Sequence, residues 1–324
     1  MLAVVSPFLA EVLFGATRIS FIFALIPQIA VWGGGTVLIR EAVRRAGGGW
    51  VSLLLLGLAL AVAEECVIQQ TSFAPLVGAV EPYGRAWGVN WVYLLWALGY
   101  ESVWVVVLPV QLTELVFVKR RAERWLSAVG LLLVGSSFTL GSLVAWYSWT
   151  QVARTSVFHL PAYQPPLVHV LLALGAIALL AIAAFSPAGL PRTSRAESAR
   201  GAPPAWAMGL LAFASGFPWC ILLLMAYGLA PGVSPLIPTI GGIAWAGVVL
   251  ICVRRWAVRT NWHDLQRFAV VTGGTVACIA AGCVLFAVGG ALTIDWVGKL
   301  VLNGLAVLAL FGLGMNVSSA RPSA

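Results

Sequence analysis

Apolar residues in this chain come in blocks of about twenty, parted by short polar stretches. Long blocks lie near 20–38, 51–70, 89–118, 126–148, 167–187, 205–228, 234–252, 268–291 and 296–316, with a shorter one at 2–16. A helix rises about 1.5 Å per residue, so each long block reaches across the hydrocarbon of a bilayer. Backbone groups in lipid must be bonded within their own segment, which makes each block a helix. The pattern predicts an all-α polytopic transmembrane bundle of about nine spanning helices plus a short N-terminal apolar segment. No basic residue precedes the N-terminal block, the first being Arg18, so the block lacks the pattern of a cleaved signal.

The polar stretches are of two kinds. Arg40/Arg44/Arg45, Lys119/Arg120/Arg121/Arg124, Arg192/Arg195/Arg200 and Arg254/Arg255/Arg258/Arg267 alternate with loops near 71–88, 149–166, 229–233 and 292–295 that are poor in basic residues. This is the positive-inside pattern, and it assigns the basic loops to the cytoplasm. It absorbs the net charge of +8 without a nucleic-acid partner, and no loop interleaves aromatic and basic residues as single-strand binders do. Composition points the same way. With 61% hydrophobic and 9% charged residues, against roughly a quarter charged in soluble domains, the expected partner of the outer surface is the lipid bilayer.

One stretch, "SPAGLPRTSRAESARGAPPA" at 186–205, has the composition of a linker. It divides a single membrane domain into an N-terminal part, 1–187, a cytoplasmic linker, 188–204, and a C-terminal four-helix part, 205–324. Across that division "SPFLAEVLFGATRISFIFALIPQI" aligns without gaps to "FPWCILLLMAYGLAPGVSPLIPTI", as a parallel duplication or as chance similarity between apolar stretches. Gly33-Gly34-Gly35 and the stripe Gly274, Cys278, Ala281 and Gly282 mark expected close helix contacts. Pro109 is expected to kink its helix. The five cysteines all fall in apolar blocks, with no Cys-x-x-Cys pair and no His at metal spacing, and read as small packing groups.

The block pattern breaks at "LALAVAEECVIQQTSF", residues 58–73, where Glu64 and Glu65 interrupt an apolar run. Counted up its helix, Glu65 lies about 20 Å from the basic end, and Glu101 in "LWALGYESVWVV" lies about 16 Å below the opposite face. All three carboxyl groups therefore fall at membrane depth on sequence-adjacent helices. An ionised carboxylate there costs about 2.5–3.5 kcal/mol, so these groups must face protein or water. Gln69 stands one turn beyond Glu65 on the same side. Two carboxylates this close seldom ionise together, and the set suits an acid–base pair, a proton carrier or a metal site. Metal and cofactor stay open.

Arg85 is expected either to cap this pocket or to close on Glu65 as a salt bridge, with His169 as a further cap. His159 reads as a solvated loop residue. Glu114 is expected to pair with Lys119 or Arg120, and Glu11 to lie at the interface. Asp295 and Lys299 have the spacing of an i,i+4 ion pair.

"AEECVIQQ" followed by "WALGYESVW" resembles the intramembrane CAAX-prenyl protease and bacteriocin-processing family. In that family an adjacent Glu pair is followed by Arg four residues after the second Glu. The next helix carries Phe-x-x-x-His, and a later helix another His. Glu64 and Glu65 match the pair. Gln69 stands in place of the Arg, Ala97 of the Phe and Glu101 of the His, and only His159 and His169 are available as the later His. The resemblance implies a diverged intramembrane hydrolase acting on or binding a membrane peptide or lipid-linked substrate. Glu65 would be its general base, Glu64 a proton-sharing partner, and Glu101 would bind a metal or orient water. "GGGTVLIREAVRR", "YGRAWGVNWVY" and "LPVQLTELVF" are similar to stretches of uncharacterised bacterial multi-pass proteins, which implies a bacterial inner membrane. The rival readings are a proton-coupled secondary transporter and a non-catalytic membrane partner or assembly subunit.

Overall fold

The computed structural model describes residues 1–77, 83–186, 201–257 and 262–319. Among them, nine helices are long and apolar enough to cross a bilayer. In chain order after a short first helix, α1 (Leu2–Leu13), they are α2 (Ile19–Arg45), α3 (Trp50–Ile68), α4 (Trp91–Val116), α5 (Ala128–Val157) and α6 (Leu167–Phe185). Then follow α7 (Ala205–Ala226), α8 (Leu236–Trp256), α9 (Asp264–Val288) and α10 (Thr293–Ser319). Strand among the described residues is confined to a small hairpin, β1 (Arg85–Ala86) and β2 (Val89–Asn90), turned through Trp87 and Gly88 at positive φ.

Helix α5 runs on through 148–157, a stretch expected as loop. There the backbone widens to a π-helix, and the hydroxyls of Ser148, Thr150 and Thr155 bond back to carbonyls one turn earlier. That back-bonding gives polar side chains a partner without breaking the helix. The expected linker at 188–204 falls for most of its length outside the described residues.

Helices α3 and α4 are the most buried spans, and α8 has no buried residue in its most apolar stretch. Around them α6 packs on α3, α7 packs on α9, and α1 is enclosed by α2, α4 and α9. Glycine sets the α3–α4 seam: a Cβ on Gly57 would stand 3.0 Å from the Ser102 Cα. Two prolines shape the contacts of α1. Pro109 offers no amide to the Val105 carbonyl, which instead accepts hydrogen bonds from Ser6 Oγ at 2.7 Å and Thr36 Oγ1 at 2.9 Å. The turn before Pro109, Glu101–Val107, is π-helical. Pro7 likewise leaves the Ala3 carbonyl bare, and it rests on Gly33, where a Cβ would come within 1.9 Å.

The bundle has a basic end and a far end. At the basic end Arg40, wholly buried, bonds Glu114, the carbonyls of Arg121 and Glu123, and stacks 3.4 Å from the centre of the Trp125 ring. Arg44 grips both oxygens of Glu114, at 2.8 and 2.6 Å. Glu114 therefore pairs with two arginines of α2, not with Lys119 or Arg120. Its side chain points into the bundle, whereas Arg120 faces out and pairs with Glu123.

At the far end Asp295 and Lys299, both buried, make no ion pair with each other. Lys299 Nζ donates to the carbonyls of Leu13 and Phe14, and Asp295 Oδ1 accepts from the Ser20 amide. The reason is the turn between α1 and α2. Its carbonyls at the end of one helix need donors, and its amides at the start of the next need acceptors. The first turns of α10 supply one of each.

A buried carboxyl cluster at membrane depth

Each acidic side chain of the central cluster sits on a widened, π-helical stretch: Glu11 in Phe8–Leu13, Glu64 and Glu65 in Glu64–Ile68, and Glu101 in Glu101–Val107. Such widenings insert an extra residue into a helical turn and are frequent at functional sites. The three helices are tied together beside the acids. Gly57 lets α3 close on α4 at Ser102, and the Tyr100 hydroxyl donates to the Ala10 carbonyl of α1 at 2.6 Å. Glu11 and Glu101 are each the next residue along.

Glu64, Glu65 and Glu101 are 1%, 4% and 6% exposed. The carboxyl groups of Glu65 and Glu101 lie within hydrogen-bonding reach of each other. A hydrogen bond between two carboxyl groups needs one proton, since two carboxylates offer only acceptors. Glu65 Oε1 also accepts from Tyr93 Oη and its Oε2 from Ser72 Oγ, both at 3.2 Å. One oxygen of Glu101 and both oxygens of Glu64 have no hydrogen-bond partner. Glu11 lies within electrostatic reach of all three, and its Oε2 accepts from Thr17 and from Gln28, both at 3.2 Å. Among the described residues no lysine or arginine forms an ion pair with any of the four.

Three buried acids and the half-buried Glu11 thus share this interior without an ion-pair partner among the described residues. Leaving all of them ionised there would cost several kcal/mol per group. Protons are the simplest neutralising partner that this geometry accepts, because two carboxyl groups within hydrogen-bonding reach can bond only if one is protonated. Among the described residues no group of three or more His, Cys, Asp or Glu is arranged to hold a metal ion.

The structure brings together Glu64, Glu65 and Glu101 from the expected set and leaves the rest elsewhere. Gln69 is only half-buried at the end of α3. The buried amide is its neighbour Gln70, at a φ of 59°, where the chain turns back. Arg85 neither caps the cluster nor bridges to Glu65. Its guanidinium is used up on the carbonyls of Phe73, Ala74 and Gly88, pinning the β-hairpin to the turn after α3. His169 holds the same hairpin through the Trp87 carbonyl at 2.9 Å and packs on Phe73. His159 is exposed. No imidazole enters the cluster.

Glu11, Tyr93 and Ser72 belong to the site, although the sequence reads Glu11 as interfacial and does not single out the other two. Glu11 had a signal, a carboxyl in an apolar run, but its run is too short to span and its depth depends on the α1–α2 hairpin. Tyr93 opens an aromatic ladder on one face of α4, with Trp96, Tyr100 and Trp104 stacking in sequence at 4.9–5.5 Å. Such a stripe is indistinguishable by spacing from ordinary core. Ser72 lies in the turn that folds back over Glu65, where its amide also bonds the Glu65 carbonyl.

Fold and site together define a multi-pass helical membrane protein with an acidic centre that has no ion-pair partner among the described residues. The chain matches no protein-family model, no curated protein and no solved structure.

Proposed function

We propose that the protein is a proton-coupled carrier whose Glu65–Glu101 pair takes up and releases the coupling proton. The observation that supports this most is the approach of the Glu65 and Glu101 carboxyl groups to hydrogen-bonding reach, inside a four-acid cluster that makes no ion pair with a basic group among the described residues. Intramembrane acids of this kind serve proton relays in pumps and transporters. Helix α1 adds support: it is half the length of a span and ends beside the cluster, as broken helices do at carrier sites. The basic end would face the cytoplasm by the positive-inside pattern, and the bacterial inner membrane is the expected location by resemblance.

A second reading, a diverged intramembrane hydrolase working on a membrane peptide or lipid-linked substrate, draws on the same pair of carboxyl groups. One member of a proton-sharing pair can activate water while the other protonates the leaving group. Glu65 would be the base, Glu64 its proton-sharing neighbour, and Glu101 would orient the water. The cluster lacks the imidazole that the resembled family uses for this step, which favours the carrier.

The test is potentiometric. Acidifying the purified protein in detergent, a pH electrode should count about one or two more protons taken up per chain by wild type than by the Glu65→Gln/Glu101→Gln double variant. Equal uptake would remove the proton-binding reading. Cleavage of a membrane peptide by wild type, lost in the double variant, would transfer the conclusion to the hydrolase.

A further inference from the structure

Resting on the proton-sharing reading, the geometry points to Tyr93 as the group through which Glu65 exchanges its proton with water at the far end of the bundle, with Tyr227 as the cover of that route. Three observations carry it. Tyr93 sits in the first turn of α4, at the far end, with its hydroxyl 3.2 Å from Glu65 Oε1. Tyr227, just past the last turn of α7, stands edge-on against the Tyr93 ring at 6.4 Å between centroids. Tyr227 is 39% exposed, whereas Tyr93, Glu65 and Ser72 are buried. Tyr93 is thus one side chain removed from the far surface.

From the basic end the approach is of another kind. Below the cluster α3 and α4 close on each other at Gly57 and Ser102, and the serine and threonine hydroxyls there are spent on the Val105 carbonyl. Further down, the Arg40–Glu114–Arg44 network places guanidinium groups in the way, which repel an incoming proton. The groups facing Glu65 are Glu64 and Cys66 on its own helix, Tyr93 and Glu101 on α4, Ser72 in the turn, Glu11 on α1 and Tyr227 after α7. Among them, only Tyr93 joins a donor hydroxyl on Glu65 to an exposed neighbour.

The step balances as a relay. The Tyr93 O–H bond breaks as its proton passes to the Glu65 carboxylate, and a hydronium ion arriving past Tyr227 gives a proton to the Tyr93 oxygen, leaving water. The reverse order returns the proton to the same side.

The experiment uses the full chain in proteoliposomes of one orientation, with the pH changed on one side at a time and the infrared carboxyl band followed in time. Wild type should respond quickly to pH at the far end and slowly to pH at the basic end. Tyr93→Phe, which keeps the ring and removes only the hydroxyl, should slow the far-end response about a hundredfold, the low end of what a positioned proton-transfer group contributes. Tyr227→Ala, which uncovers the ring, should leave it equal or faster. An unchanged rate in Tyr93→Phe, or a wild-type response that follows the basic side, overturns the route. A wild type whose band changes with pH but whose Glu65→Gln variant behaves identically overturns the proton-sharing reading beneath it, and the two failures are told apart by that variant.

Discussion

Two buried acidic groups in this molecule have the same chemistry and opposite surroundings. At the basic end Glu41 and Glu114, on α2 and α4, are held by Arg40, Arg44 and Arg45, and Glu41 Oε2 further accepts the Trp125 amide. Both oxygens of Glu114 are gripped by arginine. At the centre, Glu64, Glu65 and Glu101 are buried as deeply, with the half-buried Glu11 beside them; among the described residues none of the four has a cation, and the Glu64 carboxyl group has no hydrogen-bond partner. A fully paired network fixes how helices pack. An unpaired one is costly to the fold and is retained where it does something else. The contrast separates a clamp from a working site at two heights of one helix, α4, which carries Glu114 at one and Glu101 at the other.

The contrast is broken most sharply at Glu114. Glu114→Ala removes the carboxylate that the buried Arg40 shares with Arg44 and should cost about 3–5 kcal/mol of stability, read as a fall in thermal unfolding temperature in detergent. Next in size is Lys299→Met, which leaves the Leu13 and Phe14 carbonyls without their donor. A loss of about 1–3 kcal/mol is expected, with faster amide exchange confined to the α1–α2 turn. Smallest is Glu64→Gln. It replaces a partnerless acid with a neutral group of the same shape and should change stability by less than about 1 kcal/mol, in either direction. If Glu64→Gln destabilises as much as Glu114→Ala, the central acids are structural and the contrast disappears.

Much of this arrangement is legible in the sequence, for a physical reason. Lipid demands self-bonded helices, so the apolar blocks identify all nine spans without knowledge of their packing. The same demand makes a carboxyl within a block conspicuous, and Glu64, Glu65 and Glu101 stand out for that reason. Partners are harder to read. Glu114 lies near Lys119 and Arg120 along the chain but meets Arg40 and Arg44 across a helix crossing. Asp295 and Lys299 have ion-pair spacing, yet each is claimed by the ends of two other helices. Arg85 has the right charge to meet Glu65, but the carbonyls of a tight hairpin turn compete for it and win. Glu11 reads as interfacial because its run is short, whereas its depth is set by the α1–α2 hairpin. The π-helical widenings under all four acids have no local residue pattern that announces them.

The claim on which this account depends is that Glu65 and Glu101 hold one proton between them, and infrared spectroscopy of the purified protein reads it directly. The account predicts a carbonyl stretch of a protonated carboxyl group that is lost or displaced in Glu65→Gln and again in Glu101→Gln, since each change removes one side of the shared bond. A band that persists unchanged in both variants, or a wild type with carboxylate bands alone, would contradict it.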